Sequence, residues 1–138
     1  TETNFYKSFK KCLENGTEKY LITRIESYVT PGFPDCLIFH KDIGFFTVEL
    51  KVVRRNKKGV GKVSISPLQI AWNTLHIAHN APAFILIHDP GQKATKLFSA
   101  SKLLELRDKD YDLVDGGLWT GELGPGFAAE LPKLLKLP

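Results

Sequence analysis

Cysteine is scarce in this 138-residue chain: Cys12 and Cys36 are the only two, each in an apolar setting. Two thiols cannot form a disulfide framework, so both are expected reduced in the core, in a reducing compartment. Long apolar runs are missing as well. No stretch suffices to span a bilayer, and the opening Thr1-Glu2-Thr3-Asn4 has no signal-peptide pattern. The expectation is a cytosolic protein (host cytoplasm if phage-encoded) with no membrane partner. There is no internal repeat and no low-complexity tract. No Ser-His-Asp or Cys-His arrangement stands out. A P-loop fails too: Gly59-Val60-Gly61-Lys62 would need glycine at Asn56 and serine or threonine at Val63, so no nucleotide cofactor is expected. His76 and His79 have a spacing that can bind zinc, but no third ligand is in view, and both read as structural.

What is there is an ordinary globular composition, 43% hydrophobic and 25% charged, with enough length for one domain and a real core. A single domain over 1–138 is expected, with an irregular C-terminal extension from about 108. The net charge of +4 favours a polyanionic partner only mildly. Its distribution says more. Lys51, Arg54, Arg55, Lys57, Lys58 and Lys62 fall in one stretch with no acid among them. In isolation such a run is usually a solvated face.

Phe5, Phe9, Cys12 and Leu13 recur at helical spacing over Asn4–Glu14, and Asn15-Gly16 ends the pattern. Tyr20–Tyr28 alternates as a strand. Cys36–Phe39 and Phe45–Val53 are strands joined closely enough for an antiparallel hairpin. A basic, glycine-containing loop follows. Ser66-Pro67-Leu68-Gln69 then predicts a sharp helix start, with Ser66 as N-cap and Gln69 completing a capping box. Along that helix Leu68, Trp72, Leu75 and His79 form an apolar stripe, and Gln69, Asn73 and His76 a polar one. Ala83–His88 reads as a buried strand, Lys96–Ser99 as a short edge strand, and Ser101–Arg107 as a helix. The glycines and prolines after Asp108 imply loops around Leu118 and Trp119, and Trp119 is open to packing, a base or a partner chain. The order αβββαβ predicts an α/β fold with a central mixed β-sheet flanked by helices.

Within this frame Asp35 opens one strand, and Glu49 and Lys51 lie in the next. Alternation puts Thr47, Glu49 and Lys51 on one face and Phe46, Val48, Leu50 and Val52 on the other. Ionised groups in so apolar a strand are costly unless paired or metal-bound. Two carboxylates suit a hard cation such as Mg²⁺, and a neighbouring ammonium can orient a water or steady charge on a phosphate.

Pro31-Gly32-Phe33-Pro34-Asp35, Val48-Glu49-Leu50-Lys51-Val52 and Ser66-Pro67-Leu68-Gln69-Ile70-Ala71-Trp72 together resemble the PD-(D/E)XK nuclease superfamily, especially its small VRR-NUC and Holliday-junction-resolvase-like members, which include compact phage endonucleases. The resemblance runs from about Arg24 to Asp89. It implies a restriction-endonuclease-like core and a Mg²⁺-dependent DNA endonuclease, with Mn²⁺ as a substitute, that leaves a 5′-phosphate and a 3′-hydroxyl. Asp35 and Glu49 match the metal-binding carboxylates, the Leu50 carbonyl a backbone ligand, Lys51 the catalytic lysine, and Gln69 the glutamine near the scissile phosphate. Many relatives add a glutamate from the first helix. Here Glu2, Glu14 and Glu18 are candidates, with Glu2 favoured, while Glu26 is expected to pair with Arg24. The basic residues Arg54, Arg55, Lys57, Lys58 and Lys62 would hold DNA. A structure-selective enzyme acting on branches, flaps or junctions, a homing or restriction-like endonuclease, an inactive DNA-binding protein and a small nucleotide phosphodiesterase remain distinct readings. A homodimer would suit junction cutting.

Overall fold

The structure, a computed structural model, describes residues 2–25 and 30–135. Its centre is a six-stranded sheet in the order β1-β2-β3-β6-β7-β8. The strands are β1 (Leu21–Arg24), β2 (Cys36–His40), β3 (Gly44–Val52), β6 (Ala83–Asp89), β7 (Ala94–Ser99) and β8 (Trp119–Gly121). Only β3 and β6 pair in parallel; every other neighbour is antiparallel. Helix α1 (Glu2–Glu14) precedes the sheet, and α2 (Pro67–Ala78) makes the crossover from β3 to β6. Helices α3 (Leu103–Asp108) and α4 (Pro125–Leu135) follow. The αβββαβ order and the mixed sheet agree with the sequence expectation.

Alternation along β2 and β3 sorts the core. Cys36, Ile38, Phe46, Val48 and Leu50 point to the face covered by α1 and α4, in one cluster with Phe9, Leu13, Phe127 and Leu131. The opposite face carries a second cluster in which Ile85 and Ile87 meet Leu103, Leu106 and Tyr111. Glu49 and Lys51 belong to this second face.

Several local expectations are corrected. The first strand ends at Arg24, and Glu26 with Tyr28 lies outside the described residues. The Arg24 guanidinium lies 4.7 Å over the Tyr6 ring. The basic loop is a small hairpin of β4 (Arg54–Arg55) and β5 (Gly61–Lys62). Strand β7 is interior, because β8 pairs beyond it. The third helix is preceded by a 3₁₀ turn over Ala100–Lys102.

The largest correction is at the C-terminus. Residues 125–135 form a helix, and Phe127, Ala128, Leu131 and Leu135 enter the main core. Pro132 sits inside it and lacks the N–H that would reach the Ala128 carbonyl. The Tyr20 hydroxyl donates to that carbonyl instead, at 2.6 Å. Trp119 packs on Phe127 with ring centroids 4.4 Å apart. No described helix is long and apolar enough to cross a membrane.

Helix α2 is also turned relative to expectation. Leu68 and Leu75 are 55% and 58% exposed, whereas Asn73 is 1% exposed. Ile70 and Ile77 supply the inward packing. This helix has two apolar stripes, and burial of Ile70 and Ile77 leaves the other one outside. His79 is an exposed C-terminal cap, and His76 stacks on Trp72 at 3.5 Å while its Nδ1 meets the Trp72 carbonyl at 2.7 Å.

Candidate active site

Four motif residues meet at the end of the sheet where β3 finishes and α2 begins. Asp35 stands just before β2, one step beyond the Cys36–Val48 pair, and so lies opposite Glu49. Its Oδ2 accepts the Leu50 N–H at 2.9 Å. The N–H and C=O of one strand residue point to the same side, so the Leu50 carbonyl also faces the Asp35 side.

The helix start completes the group. Ser66 Oγ accepts from Gln69 N at 3.1 Å, and Gln69 Oε1 accepts from Ser66 N at 3.0 Å, closing the capping box. Gln69 Nε2 remains free for other work and donates to Glu49 Oε1 at 2.9 Å. One side chain therefore does both jobs: it caps α2 and reaches the carboxylate. Lys51 Nζ lies 3.8 Å from the same Oε1.

Gly32 explains why the loop before Asp35 needs glycine. Its φ is +88°, and a Cβ there would lie 2.3 Å from the Leu68 carbonyl oxygen. The loop is thus pressed onto the first turn of α2, which ties the positions of Asp35 and Gln69 together.

Glu49 is 2% exposed, and its Oε2 has no hydrogen-bond partner. Burial pushes its carboxyl up to about 9, and the Asp35 carboxyl, within hydrogen-bonding reach, adds to the rise; Lys51 opposes it. A cation between the carboxylates would favour their ionised forms and offset both causes. An orphaned buried oxygen, a crowded acidic pair and a backbone carbonyl form an oxygen-only donor set, which fits Mg²⁺ or Mn²⁺. Among the described residues no group of three or more His, Cys, Asp or Glu side chains gathers for a metal. That donor count suits an ion that keeps several waters, and does not suit a closed zinc cage.

Of the early glutamates, Glu2 is the one whose charge reaches Glu49 and raises its pKa further. Glu18 binds the buried His40, Oε2 to Nε2 at 3.0 Å. Glu14 is exposed at the far end of α1, roughly 18 Å along the axis from Glu2.

The basic residues divide. Arg54, Lys57, Lys58 and Lys62 are exposed. Arg55 turns inward: its guanidinium donates to both carboxylate oxygens of Asp89, to both of Asp112 and to the Gly59 carbonyl. These bonds to the protein's own acids pin the hairpin to β6 and to the 3₁₀ turn Tyr111–Leu113. Arg54 and Lys62 stand directly opposite each other in the hairpin. Like charges so paired are destabilising unless an anion compensates them. Asp108 lies within the field of Lys62 and offsets part of that repulsion.

Asn73 is the residue that sequence reasoning misplaced. One turn beyond Gln69, it donates from Nδ2 to the Gln69 carbonyl at 2.8 Å, and its Oδ1 is buried without a partner. Thr47 Oγ1, on the Glu49 face of β3, is likewise unsatisfied. The i, i+4 spacing from Gln69 was the available signal.

No family model matches this chain, and no curated protein matches it.

Proposed function

We propose that this protein is a Mg²⁺- or Mn²⁺-dependent endodeoxyribonuclease of the PD-(D/E)XK type. The observation that supports it most is the Asp35–Glu49 pair, Glu49 buried and Asp35 half-buried, short of positive charge, with an ammonium and an amide on Glu49 Oε1. Asp35, Glu49 and the Leu50 carbonyl would hold the ion, with Glu2 near enough to add its charge. When bound, the ion supplies Lewis acidity toward a phosphate oxygen and a lowered pKa for water.

The chain's own residues do the rest. Gln69 and Lys51 fix the orientation of Glu49 from one side, and Leu50 N–H fixes Asp35 from the other. Lys51 also brings a positive charge to where negative charge grows on a phosphate during in-line attack. Arg54, Lys57, Lys58 and Lys62 lie just past β3 and offer the backbone of a nucleic acid an electrostatic hold, so binding should weaken steeply with salt. Contacts from these cations to phosphates would carry no sequence information, which favours selection by DNA shape, such as a branch, flap or junction.

A cleavage panel of duplex, single-stranded, flap and four-way-junction DNA with Mg²⁺, Mn²⁺ or EDTA tests this. Cleavage with either metal, none with EDTA, and none by Asp35→Ala or Glu49→Ala is expected. If wild type binds DNA but cuts nothing with either metal, the protein is a binding module on a nuclease-like core.

A further inference from the structure

Buried polar atoms without a partner are few in this protein, and they are not scattered. Among the described residues four side-chain atoms are of this kind: Thr47 Oγ1, Glu49 Oε2, Asn73 Oδ1 and the Tyr111 hydroxyl. Three of the four belong to β3 and α2. Thr47, Glu49 and Asn73 are 8%, 2% and 1% exposed, so solvent does not satisfy them.

Register brings the three together. Thr47 and Glu49 are two apart on β3 and share its α2 face. The bond from Gln69 Nε2 to Glu49 Oε1 fixes where the first turn of α2 meets that strand. From there α2 runs back against the direction of β3, because it connects two parallel strands, β3 and β6. Asn73 is four residues on, about 6 Å along the helix axis. Thr47 is two residues back, roughly 6.6 Å along the strand. Asn73 therefore lies at the level of Thr47, between helix and sheet, in line behind the Glu49–Gln69 contact.

Chemistry sets which way each group faces. Asn73 Nδ2 donates to the Gln69 carbonyl at 2.8 Å. An amide oxygen cannot take that place, since a carbonyl has no hydrogen to offer it, so Oδ1 points away from that carbonyl. Back-bonding of this kind accounts for an asparagine inside a helix, but not for a buried bare oxygen. The neighbours of Asn73 on the inward stripe are Ile70 and Ile77, and a leucine between them would bury no polar atom. Thr47 poses the same question, because valine has its shape without the hydroxyl. Thr47 Oγ1 and Asn73 Oδ1 do not bond each other, so they stand further apart than one hydrogen bond. A single water answers all three groups. It accepts from the Thr47 hydroxyl and donates one hydrogen to Asn73 Oδ1 and the other to the Glu49 carboxylate. A carboxylate has lone pairs for a water and a metal ion together.

We infer that Asn73 and Thr47 are positioning residues of this site, holding between them one buried water that anchors the Glu49 carboxylate from the interior. Gln69 and Lys51 act on Glu49 Oε1. The water is a second anchor, and sets the plane of the carboxylate before an ion arrives. The inference rests on the nuclease reading for its activity readout.

Isosteric variants test it. Thr47→Val keeps the shape and removes the hydroxyl, and Thr47→Ser keeps the hydroxyl. The double variant Thr47→Val/Asn73→Leu removes both polar groups, so its Tm should equal or exceed that of wild type. Mn²⁺ binding, read from the electron paramagnetic resonance signal of the free ion, should nevertheless weaken by about 10- to 100-fold in Thr47→Val and in the double variant. Single-turnover cleavage should slow to a similar degree, with DNA affinity in EDTA unchanged. Thr47→Ser should recover most of the loss. Wild-type affinity for Mn²⁺ in Thr47→Val and in the double variant overturns the inference and leaves the nuclease reading standing. A Thr47→Ser chain as impaired as Thr47→Val overturns it too, because the effect would then belong to packing. A wild-type chain that binds Mn²⁺ and cuts no DNA removes the nuclease reading alone, and the Mn²⁺ comparison still decides the inference. A wild-type chain that binds no Mn²⁺ ends both.

Discussion

Two groups of charge sit at the same end of the sheet, and they are built on opposite principles. Around Arg55, one guanidinium faces the carboxylates of Asp89 and Asp112, and every oxygen of both acids receives an N–H. Around Glu49, two carboxylates crowd together with one ammonium at 3.8 Å, and one buried oxygen receives nothing. The first group is closed, and its acid Asp112 is held below the ordinary carboxylate range by Arg55. The second is open, and its Glu49 is driven the other way. Both perturb the pKa of their members, so perturbation alone does not mark a site. The sign of the shift and the orphaned oxygen do: a surplus of buried negative charge waits for a cation, and a balanced one holds loops together.

The contrast is broken most sharply by charge substitutions in the open group. Lys51→Ala should lower the single-turnover cleavage rate by roughly 100- to 1,000-fold, with DNA affinity nearly unchanged in a filter-binding assay. Glu49→Gln should abolish cleavage and leave the fold intact. In the closed group Arg55→Ala should lower Tm and open the β4–β5 hairpin to proteolysis, yet keep the Mg²⁺-induced rise in Tm. Loss of Mg²⁺ binding in that variant would show that the two groups are not independent.

A second contrast lies in pH. The pKa of Glu49 in the folded protein, about 9, is above its ordinary value of 4.5, so folding favours the protonated form. In metal-free protein that contribution is complete below about pH 4.5 and is lost as pH rises through 9. Bound Mg²⁺ needs the ionised form, so the Tm difference between Mg²⁺ and EDTA should widen from pH 6 to 9 by roughly 5 °C or more. Glu49→Gln should flatten the metal-free slope, and differential scanning calorimetry reads both effects. Cleavage should rise over the same range.

Gly32→Ala probes the link between loop and helix. The added Cβ must push the loop off Leu68, so stability should fall by an amount typical of a strained positive-φ site, about 1–3 kcal/mol, read as a lower Tm, with cleavage falling further than that loss explains. The smallest effect is expected at Tyr20→Phe, which leaves the Ala128 carbonyl bare beneath Pro132 and should cost about 1 kcal/mol in urea unfolding. Combining it with Pro132→Ala should recover much of that loss, because the helix regains its own N–H.

How much of this was legible depended on whether the signal was local. Asp35, Glu49, Lys51 and Gln69 were readable because strand alternation assigns faces and a capping box assigns a helix start, whatever surrounds them. The fate of Arg55 was not. Five other cations flank it in the same stretch, and nothing within it says which one folds back to acids 34 and 57 residues away. The orientation of α2 was illegible for a similar reason. Leu68, Trp72 and Leu75 are as apolar as Ile70 and Ile77, and only the position of the sheet selects between the stripes. Residues 125–135 were obscured by Pro132, whose missing bond is compensated from β1's side of the molecule by Tyr20.

By itself the amino-acid order determined the period of each element, the face on which each motif residue falls and the cap that turns Gln69 toward β3, since these depend on neighbours a few positions apart. Tertiary structure alone decided which charges are balanced and which are left in surplus, and which apolar stripe meets the core. Those outcomes depend on burial and on partners far along the chain, and a desolvated charge has no defined energy until the fold supplies its surroundings.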